Sequence, residues 1–342
     1  MLHVLVTAPF PQLLLEKIKA VSPEITLEMA PMQFGKNWAE DRTTEADVMY
    51  AIGGVPWPGQ APRLRWIQAH WAGIDHLANH PVWDSSIMLT NASGVHAVNM
   101  GQYTLAQLLA WAHRVPRWLH YQKLGEWPDK RAERFTPDEL RGRTLGILGY
   151  GSIGREIARL AKPFGLKILV TKRDAKSLSD NEFAVPGTGD PLAELPDRIY
   201  PPEATRSMVA ECDYVVITLP LTAKTHHLFD EEMFKAMKPS AFLVNIGRGS
   251  IVDENALIKA LKKGWIAGAG LDVFEVEPLP ASSPLWGMEN VIISPHTGGM
   301  TPAYEDRVFT LFLTNLRRFL AGERPLNPVS YTHLTLPTSD LV

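Results

Sequence analysis

The sequence predicts an α/β protein of two domains, one of them a doubly wound parallel sheet, and three observations carry this. Short apolar runs alternate with helix-like stretches along most of the chain. Gly149-Tyr150-Gly151-Ser152-Ile153-Gly154 lies between a buried-strand pattern, Thr144–Leu148, and a helix pattern, Arg155–Phe164. That is the context a phosphate-binding turn requires. A chain of 342 residues is long for one core and comfortable for two.

From the start of the chain, Val4–Val6, Ile25–Met29, Val48–Ile52, Trp66–Ala69 and Ile87–Thr90 have the length and apolar content of strands. With a helix pattern at Pro11–Val21 they predict a small parallel α/β unit over residues 1–98. Asn99–Tyr121 reads as a long helix interrupted or bent near Pro116. A polar connection over 127–141 leads into the second unit, 99–300. Its strand patterns are 144–148, 167–170, 214–218, 242–245, 268–272 and 291–293, with helices at 153–163, 230–236 and 253–262. Thr301–Ala321 is another long amphipathic helix.

Two stretches fit less well. Residues 174–206 hold Pro-Gly-Thr-Gly-Asp-Pro and Tyr-Pro-Pro-Glu, too much turn chemistry for a plain connection, and are expected to form a surface insertion. The tail 328–342 resembles a translated adapter and is expected to be non-native or disordered, so it carries no functional argument.

Composition narrows the function classes. A net charge of −3 gives no support to a nucleic-acid partner. The most apolar stretch, residues 105–112, is far short of the roughly 20 residues that cross a bilayer, so no membrane partner is expected. The chain opens directly on a strand pattern without a signal-like segment, which predicts a cytoplasmic location. The single cysteine, Cys212, excludes an intramolecular disulfide and reads as a core residue.

In a strand–Gly-x-Gly-x-x-Gly–helix unit, the first glycine makes the turn, the second lets backbone approach a pyrophosphate, and the third lets helix pack on strand. Three later segments each follow a strand pattern: Asn245-Ile246-Gly247-Arg248-Gly249, Asp272-Val-Phe-Glu275-Val-Glu277-Pro278 and Ser294-Pro-His296-Thr-Gly298-Gly299. Ligands of open α/β sheets bind at the carboxyl ends of strands, so segments distant in sequence can meet there.

In these four motifs, in their order and approximate spacing, the chain resembles the D-isomer-specific 2-hydroxyacid dehydrogenase family over residues 1 to about 327. The resemblance implies a flavodoxin-like substrate domain built from both chain ends, 1–98 and 301–327, around an inserted Rossmann cofactor domain, 99–300. It also implies an active site in the cleft between them, and a homodimer joined through the cofactor domains. Arg248 would hold the substrate carboxylate and polarise its 2-oxo group, as a charged, multiply donating guanidinium can. His296 would exchange the proton with the carbonyl oxygen. Glu277 would orient the imidazole and favour its protonated form, with Glu275 the competing assignment two residues earlier. No metal is implied.

The cofactor would be held by Gly149, Tyr150, Gly151, Ser152, Ile153, Gly154, Thr171, Lys172, Arg173, Leu219, Pro220, Asn245, Ile246, Gly247, Arg248, Asp272, His296 and Gly298. The substrate would meet Gly53, Gly54 and Val55, Trp71, Ala72 and Gly73, then Arg248, Trp286 and His296. Paired glycines suit carboxylate binding because they leave backbone N–H groups accessible. His70 and His76 add aromatic character, and Gln102 stands where the family commonly has Glu. Formate dehydrogenases of the superfamily place Gln beside the histidine, so Glu277 argues against formate; phosphite oxidation uses a similar triad and stays open.

NAD sites end their second strand in an acidic residue that contacts the ribose 2′-hydroxyl. Here Thr171-Lys172-Arg173 stands in that place, as in NADPH-using glyoxylate and hydroxypyruvate reductases. Two cations and a hydroxyl suit a 2′-phosphate, so NADP(H) is the expected cofactor, with NAD(H) the alternative beside Asp174. The expected reaction is reduction of a small 2-oxo acid, glyoxylate- or hydroxypyruvate-like, to its D-2-hydroxy acid. The alternatives are NAD-dependent oxidation of a D-2-hydroxy acid or phosphoglycerate-like substrate and, in another class, a nucleotide-binding corepressor.

Overall fold

Runs of Val, Ile and Leu buried on both faces are what parallel strands covered by helices require, and they build two sheets. The structure, a computed structural model, describes residues 1–33, 36–77, 79–174, 178–180 and 182–329. It divides into two units. The first holds the described residues within Met1–Val95, Asn181–Phe183 and Pro302–Val342, and the second those within His96–Asp180 and Ala184–Thr301.

The first unit begins with β1 (Leu2–Val6), α1 (Gln12–Lys19), β2 (Ile25–Met29), β3 (Val48–Ala51), β4 (Trp66–Ala69) and β5 (Met88–Thr90). The second runs through α2 (Ala97–Ala112), α3 (Val115–Leu124), α4 (Arg131–Phe135), β6 (Thr144–Leu148), α5 (Ser152–Ala161), β7 (Lys167–Thr171) and β8 (Arg198–Tyr200). It continues with α6 (Thr205–Glu211), β9 (Tyr214–Ile217), α7 (Glu231–Ala236), β10 (Phe242–Asn245), α8 (Glu254–Lys263), β11 (Gly268–Leu271) and β12 (Val291–Ile293). The chain then returns to the first unit as α9 (Tyr304–Leu320) and β13 (Pro328–Val329). Among the described residues no helix is long and apolar enough to cross a membrane.

Strand order identifies both sheets. The first reads β2-β1-β3-β4-β5, the flavodoxin-like order, with β13 added antiparallel at its edge. The second reads β8-β7-β6-β9-β10-β11-β12, the Rossmann order 3-2-1-4-5-6 with one further strand. The order reverses between β6 and β9, so the Gly149–Gly154 turn after β6 lies at the switch point where such sheets bind ligands. The α/β expectation with an inserted Rossmann unit stands.

Two expectations need correction. Residues 174–206 are not merely a surface insertion, because Arg198–Tyr200 form β8, the third strand of the Rossmann order, and Thr205 opens α6. The turn residues around this three-residue strand concealed it. Glu182 and Phe183 from the same stretch group with the first unit, where the Phe183 N–H donates to Asn327 Oδ1 at 3.0 Å. The tail is ordered at its start, since Pro328 and Val329 pair with Thr90 and Leu89; residues 330–342 lie outside the described residues. The long helix is interrupted near Pro116 as expected, the break falling at Arg114, which takes φ +61° immediately before α3. Pro116 sits in the first turn of α3, where its missing N–H is harmless.

Candidate active site

The glycine turn is held from both sides. Gly149 has φ +97°, and a Cβ there would stand 2.9 Å from Thr218 Oγ1. A Cβ on Gly154 would stand 2.2 Å from Gly149 O, so α5 could not close on β6 with any other residue. Around Gly151, by contrast, a Cβ would meet nothing within 4 Å. That open cradle at the start of a ten-residue helix, with first-turn N–H groups facing outward, fits a dinucleotide pyrophosphate.

Two expected contacts serve the turn itself instead. The Gly149 N–H donates to Thr171 Oγ1 at 3.1 Å, and Thr171 is buried, so this hydroxyl is engaged inside the fold rather than presented to a phosphate. Tyr150 is also buried, and its hydroxyl donates to Asp190 Oδ2 at 2.6 Å. Lys172 and Arg173 do follow β7, with Lys172 half-buried and Arg173 exposed. Burial, then the positive charge of Arg155, lowers the Lys172 ammonium below the ordinary lysine range, against the pull of Asp174 and Asp180.

β10, β11 and β12 are neighbours and parallel, so the segments after them emerge at one end of the sheet. Arg248 follows β10. Asn245, buried at the strand end, shapes this turn by accepting the Gly247 N–H at 3.1 Å and donating to Arg248 O at 3.0 Å. Glu277 follows β11, and His296 follows β12. Glu277 Oε2 lies 2.7 Å from His296 Nδ1, and Oε1 accepts the Phe274 N–H at 3.0 Å. Glu275 turns elsewhere: its Oε1 lies 2.6 Å from His227 Nε2. The geometry therefore gives His296 to Glu277. With Nδ1 taken, Nε2 is the nitrogen that can meet a substrate oxygen.

His296 has φ +52°, and its N–H donates to Asp272 O at 2.9 Å. Asp272, expected to touch the cofactor, is nearly fully buried and organises the histidine loop. Its Oδ1 accepts from Ser294 Oγ at 2.6 Å and the Thr297 N–H at 2.9 Å, and Oδ2 accepts the Gly298 N–H at 2.9 Å. Gly298 is likewise buried, and a Cβ there would meet Asp272 Oδ2 at 2.7 Å. Leu219 and Ile246 back the turns: a Cβ on Gly247 would stand 2.7 Å from Leu219 O, and the Ile246 N–H donates to Ile217 O at 3.2 Å. Ser152 and Ile153 are half-buried in the first turn of α5, and Pro220 is exposed after β9.

Residues at the start of α2, which sequence reasoning did not assign, hold the same loop. Asn99 Nδ2 donates to Gly298 O at 2.5 Å and Met300 O at 2.7 Å, His96 Nδ1 lies 3.0 Å from Gly299 O, and Tyr103 Oη lies 2.5 Å from Ser294 Oγ. Their sequence signal was the polar side chains spaced along an otherwise apolar helix. Trp286 is about half exposed on a short helical turn, with its indole N–H donated to Pro280 O at 3.0 Å.

Within the first unit, the expected substrate loops follow β3 and β4. The Gly54 N–H already donates to Lys36 O at 2.8 Å, so this amide is not available to a carboxylate as expected. Gly53 and Val55 flank it and, with Trp38, Trp57, His76 and His80, line a cavity of about 400 Å³. The Trp71 indole N–H donates to Ile52 O at 3.1 Å and ties the two loops together. Ala72 O accepts from Asn91 Nδ2 at 2.8 Å, and Gly73 follows it in the same half-buried turn.

The chain is similar to several known proteins. Residues 105–298 match the family model described as D-isomer specific 2-hydroxyacid dehydrogenase, NAD binding domain. Glyoxylate reductase of Pyrococcus furiosus is 39% identical over 269 residues, 78% of this chain and 75% of that one. Glyoxylate reductase of Aeropyrum pernix is 38% identical over 297 residues, covering 84% of each. Among solved structures, a D-isomer specific 2-hydroxyacid dehydrogenase family protein from Aeromonas salmonicida superposes with TM-score 0.73 at 32% identity, covering 96% of this chain and 99% of that one. A D-isomer specific 2-hydroxyacid dehydrogenase from Xanthobacter autotrophicus, in complex with NADPH and MES, gives TM-score 0.78 at 27% identity, covering 97% and 98%.

Proposed function

The chain belongs to the D-isomer-specific 2-hydroxyacid dehydrogenase family, NAD(P)-dependent oxidoreductases acting on a CH–OH group, and from this premise we propose that it reduces a small 2-oxo acid of the glyoxylate or hydroxypyruvate kind to the D-2-hydroxy acid with NADPH. The observation that carries the reading is the Glu277–His296 pair, 2.7 Å apart, at the ends of β11 and β12, on the same side of the sheet as Arg248 after β10. Two curated relatives named glyoxylate reductase support the substrate class.

When bound, the reduced nicotinamide supplies the hydride that reaches the 2-oxo carbon. Arg248 binds the substrate carboxylate and draws electron density toward the 2-oxo oxygen. His296 donates the Nε2 proton to that oxygen as negative charge develops on it. Glu277, acting through Nδ1, fixes the ring plane and stabilises the charge the imidazole carries before the transfer.

Lys172 and Arg173 support the phosphorylated cofactor, since both are cations where a non-phosphorylated cofactor calls for an acid. The Xanthobacter relative binding NADPH supports the same preference. The homodimer belongs to this reading as well: α3 buries none of its residues and leaves Trp118 and Leu119 exposed for a second copy.

The test is steady-state reduction of a panel of 2-oxo acids with NADPH and NADH in parallel. Turnover of the smallest members with NADPH, at higher kcat/KM than with NADH, is expected. Binding of the dinucleotide without turnover of any 2-oxo acid overturns the assignment.

A further inference from the structure

Tyr150, Arg155 and Glu156, beside the glycine turn, all point to one later stretch of chain. Tyr150 donates its hydroxyl to Asp190 Oδ2 at 2.6 Å. The Arg155 guanidinium donates to Asp190 O and, at 2.8 Å, to Leu178 O, and its Nε lies 3.2 Å from Asp180 Oδ2. It also stacks 4.9 Å above the Tyr150 ring. Glu156 accepts the Gly189 N–H at 2.7 Å, while Arg159 grips the same carboxylate with two hydrogen bonds. Asp190 in turn accepts the Glu194 and Leu195 N–H groups, each at 3.0 Å.

Arg155, Glu156 and Asp190 are each at most 6% exposed. Burying three charges is costly unless every one is paired and hydrogen-bonded. An apolar contact would hold a surface insertion at lower cost. What the charged network adds is direction, because it ties Tyr150 of the turn and Arg155 and Glu156 of α5 to one stretch of chain.

We propose that Leu178, Asp180 and the stretch from Gly189 to Leu195 form a built-in brace for the dinucleotide turn, with Asp190 and Arg155 as positioning residues for cofactor binding. The proposal rests on the reading of Gly149–Gly154 as the dinucleotide site. The brace engages the buried flank of the turn and leaves the Gly151 cradle open, so the amides that meet the pyrophosphate are already aimed before binding. Preorganisation of this kind raises affinity by removing the cost of ordering the loop on binding. It leaves the chemical step, set by Arg248, Glu277 and His296, untouched.

The test compares the full chain with Asp190→Asn, which places an amide N–H₂ against the Tyr150 hydroxyl, and with Tyr150→Phe, which removes that hydroxyl and keeps the ring. Titration by tryptophan fluorescence should show the Kd for NADPH rising about tenfold in each. Asp190→Asn should keep kcat within about twofold at saturating cofactor. Hydrogen exchange without cofactor should quicken at the 151–154 amides and not in β6. Unchanged Kd in both variants overturns the brace, as does exchange quickening in β6 to the same degree, which marks general loosening. Should Asp190→Asn not fold, Tyr150→Phe decides by Kd and exchange alone. If wild-type protein binds neither NADPH nor NADH, the site reading falls and the brace with it.

Discussion

Glu277 and His296 are joined through Oε2 and Nδ1 at 2.7 Å, and the other oxygen of the same carboxylate holds the Phe274 N–H. One side chain thus fixes both the ring and the turn it is presented from. Replacing Glu277 by Gln should lower kcat on the order of 10²-fold, the scale of general acid–base assistance. Glu275→Gln, which disturbs the His227 pair, should stay within about threefold of wild type. Steady-state kinetics on both variants checks the assignment, and the reverse ranking would reject it.

Arg248, the proposed substrate-binding cation, stands on a turn set by Asn245. Lysine at this position keeps the charge and loses the planar fork. Arg248→Lys should therefore reduce kcat/KM for the 2-oxo acid on the order of 10²- to 10³-fold, the scale for removing one oxyanion donor. The dinucleotide Kd, measured separately, should move little.

Lys172 and Arg173 set the cofactor preference in the proposed reading. A Lys172→Asp, Arg173→Ala double variant should lose NADPH affinity much more than NADH affinity, and equal losses would exclude a 2′-phosphate site. The pH dependence has a definite sign. Burial and Arg155 lower the Lys172 ammonium, so it sheds its proton below the usual lysine range. A bound phosphate favours the protonated form, so NADPH affinity should fall as pH rises through that lowered range, while NADH affinity stays flatter.

Asp272 is a buried carboxylate accepting one hydroxyl and two backbone N–H groups of the histidine loop. Asp272→Ala leaves those donors unsatisfied. Each hydrogen bond to a charged group contributes roughly 1.5–3 kcal/mol, and a loss of about 3 kcal/mol overall is expected once water reaches the loop. Urea unfolding reports the stability. Kinetics should show kcat falling in the fraction that remains folded, because His296 loses its mount.

Cys212 lies buried two residues before β9, and burial pushes its thiol up to about 12 from the ordinary 9.0. Its folded-state value is raised, so the native state binds more protons than the unfolded state between those two values. Its contribution to stability is therefore present below about pH 9 and is lost as pH rises toward about 12. Labelling by a thiol reagent at neutral pH should follow global unfolding, with no fast native phase.

Much of this was legible from sequence because the strand patterns are continuous apolar runs with sharp ends. Thr144–Leu148, Phe242–Asn245 and Val291–Ile293 are strands with the expected bounds. The family and the fold class followed from motifs fixed by geometry, such as a glycine whose Cβ would clash with Gly149 O. The pairing of Glu277 with His296 was expected from the resemblance, although Glu275 competed for it. What stayed hidden depends on tertiary partners. No local pattern says that Thr171 serves Gly149, that the Gly54 amide is taken by Lys36, or that a three-residue strand lies between Pro-rich turns. The α2 residues that hold the histidine loop are about 200 positions away from it in sequence, beyond any periodicity.

The left-handed backbone of His296 has an evolutionary consequence. Glycine enters that conformation freely and asparagine readily, whereas other side chains pay of order 1 kcal/mol or more. In the proposed reading, histidine at φ +52° is thus kept by the reaction and not by the fold. In a gene copy released from selection for turnover, position 296 is where drift to Gly or Asn meets no folding penalty. Homologues carrying that exchange, with Asp272 and the glycine turn intact, would mark lineages that have kept the architecture and abandoned the chemistry.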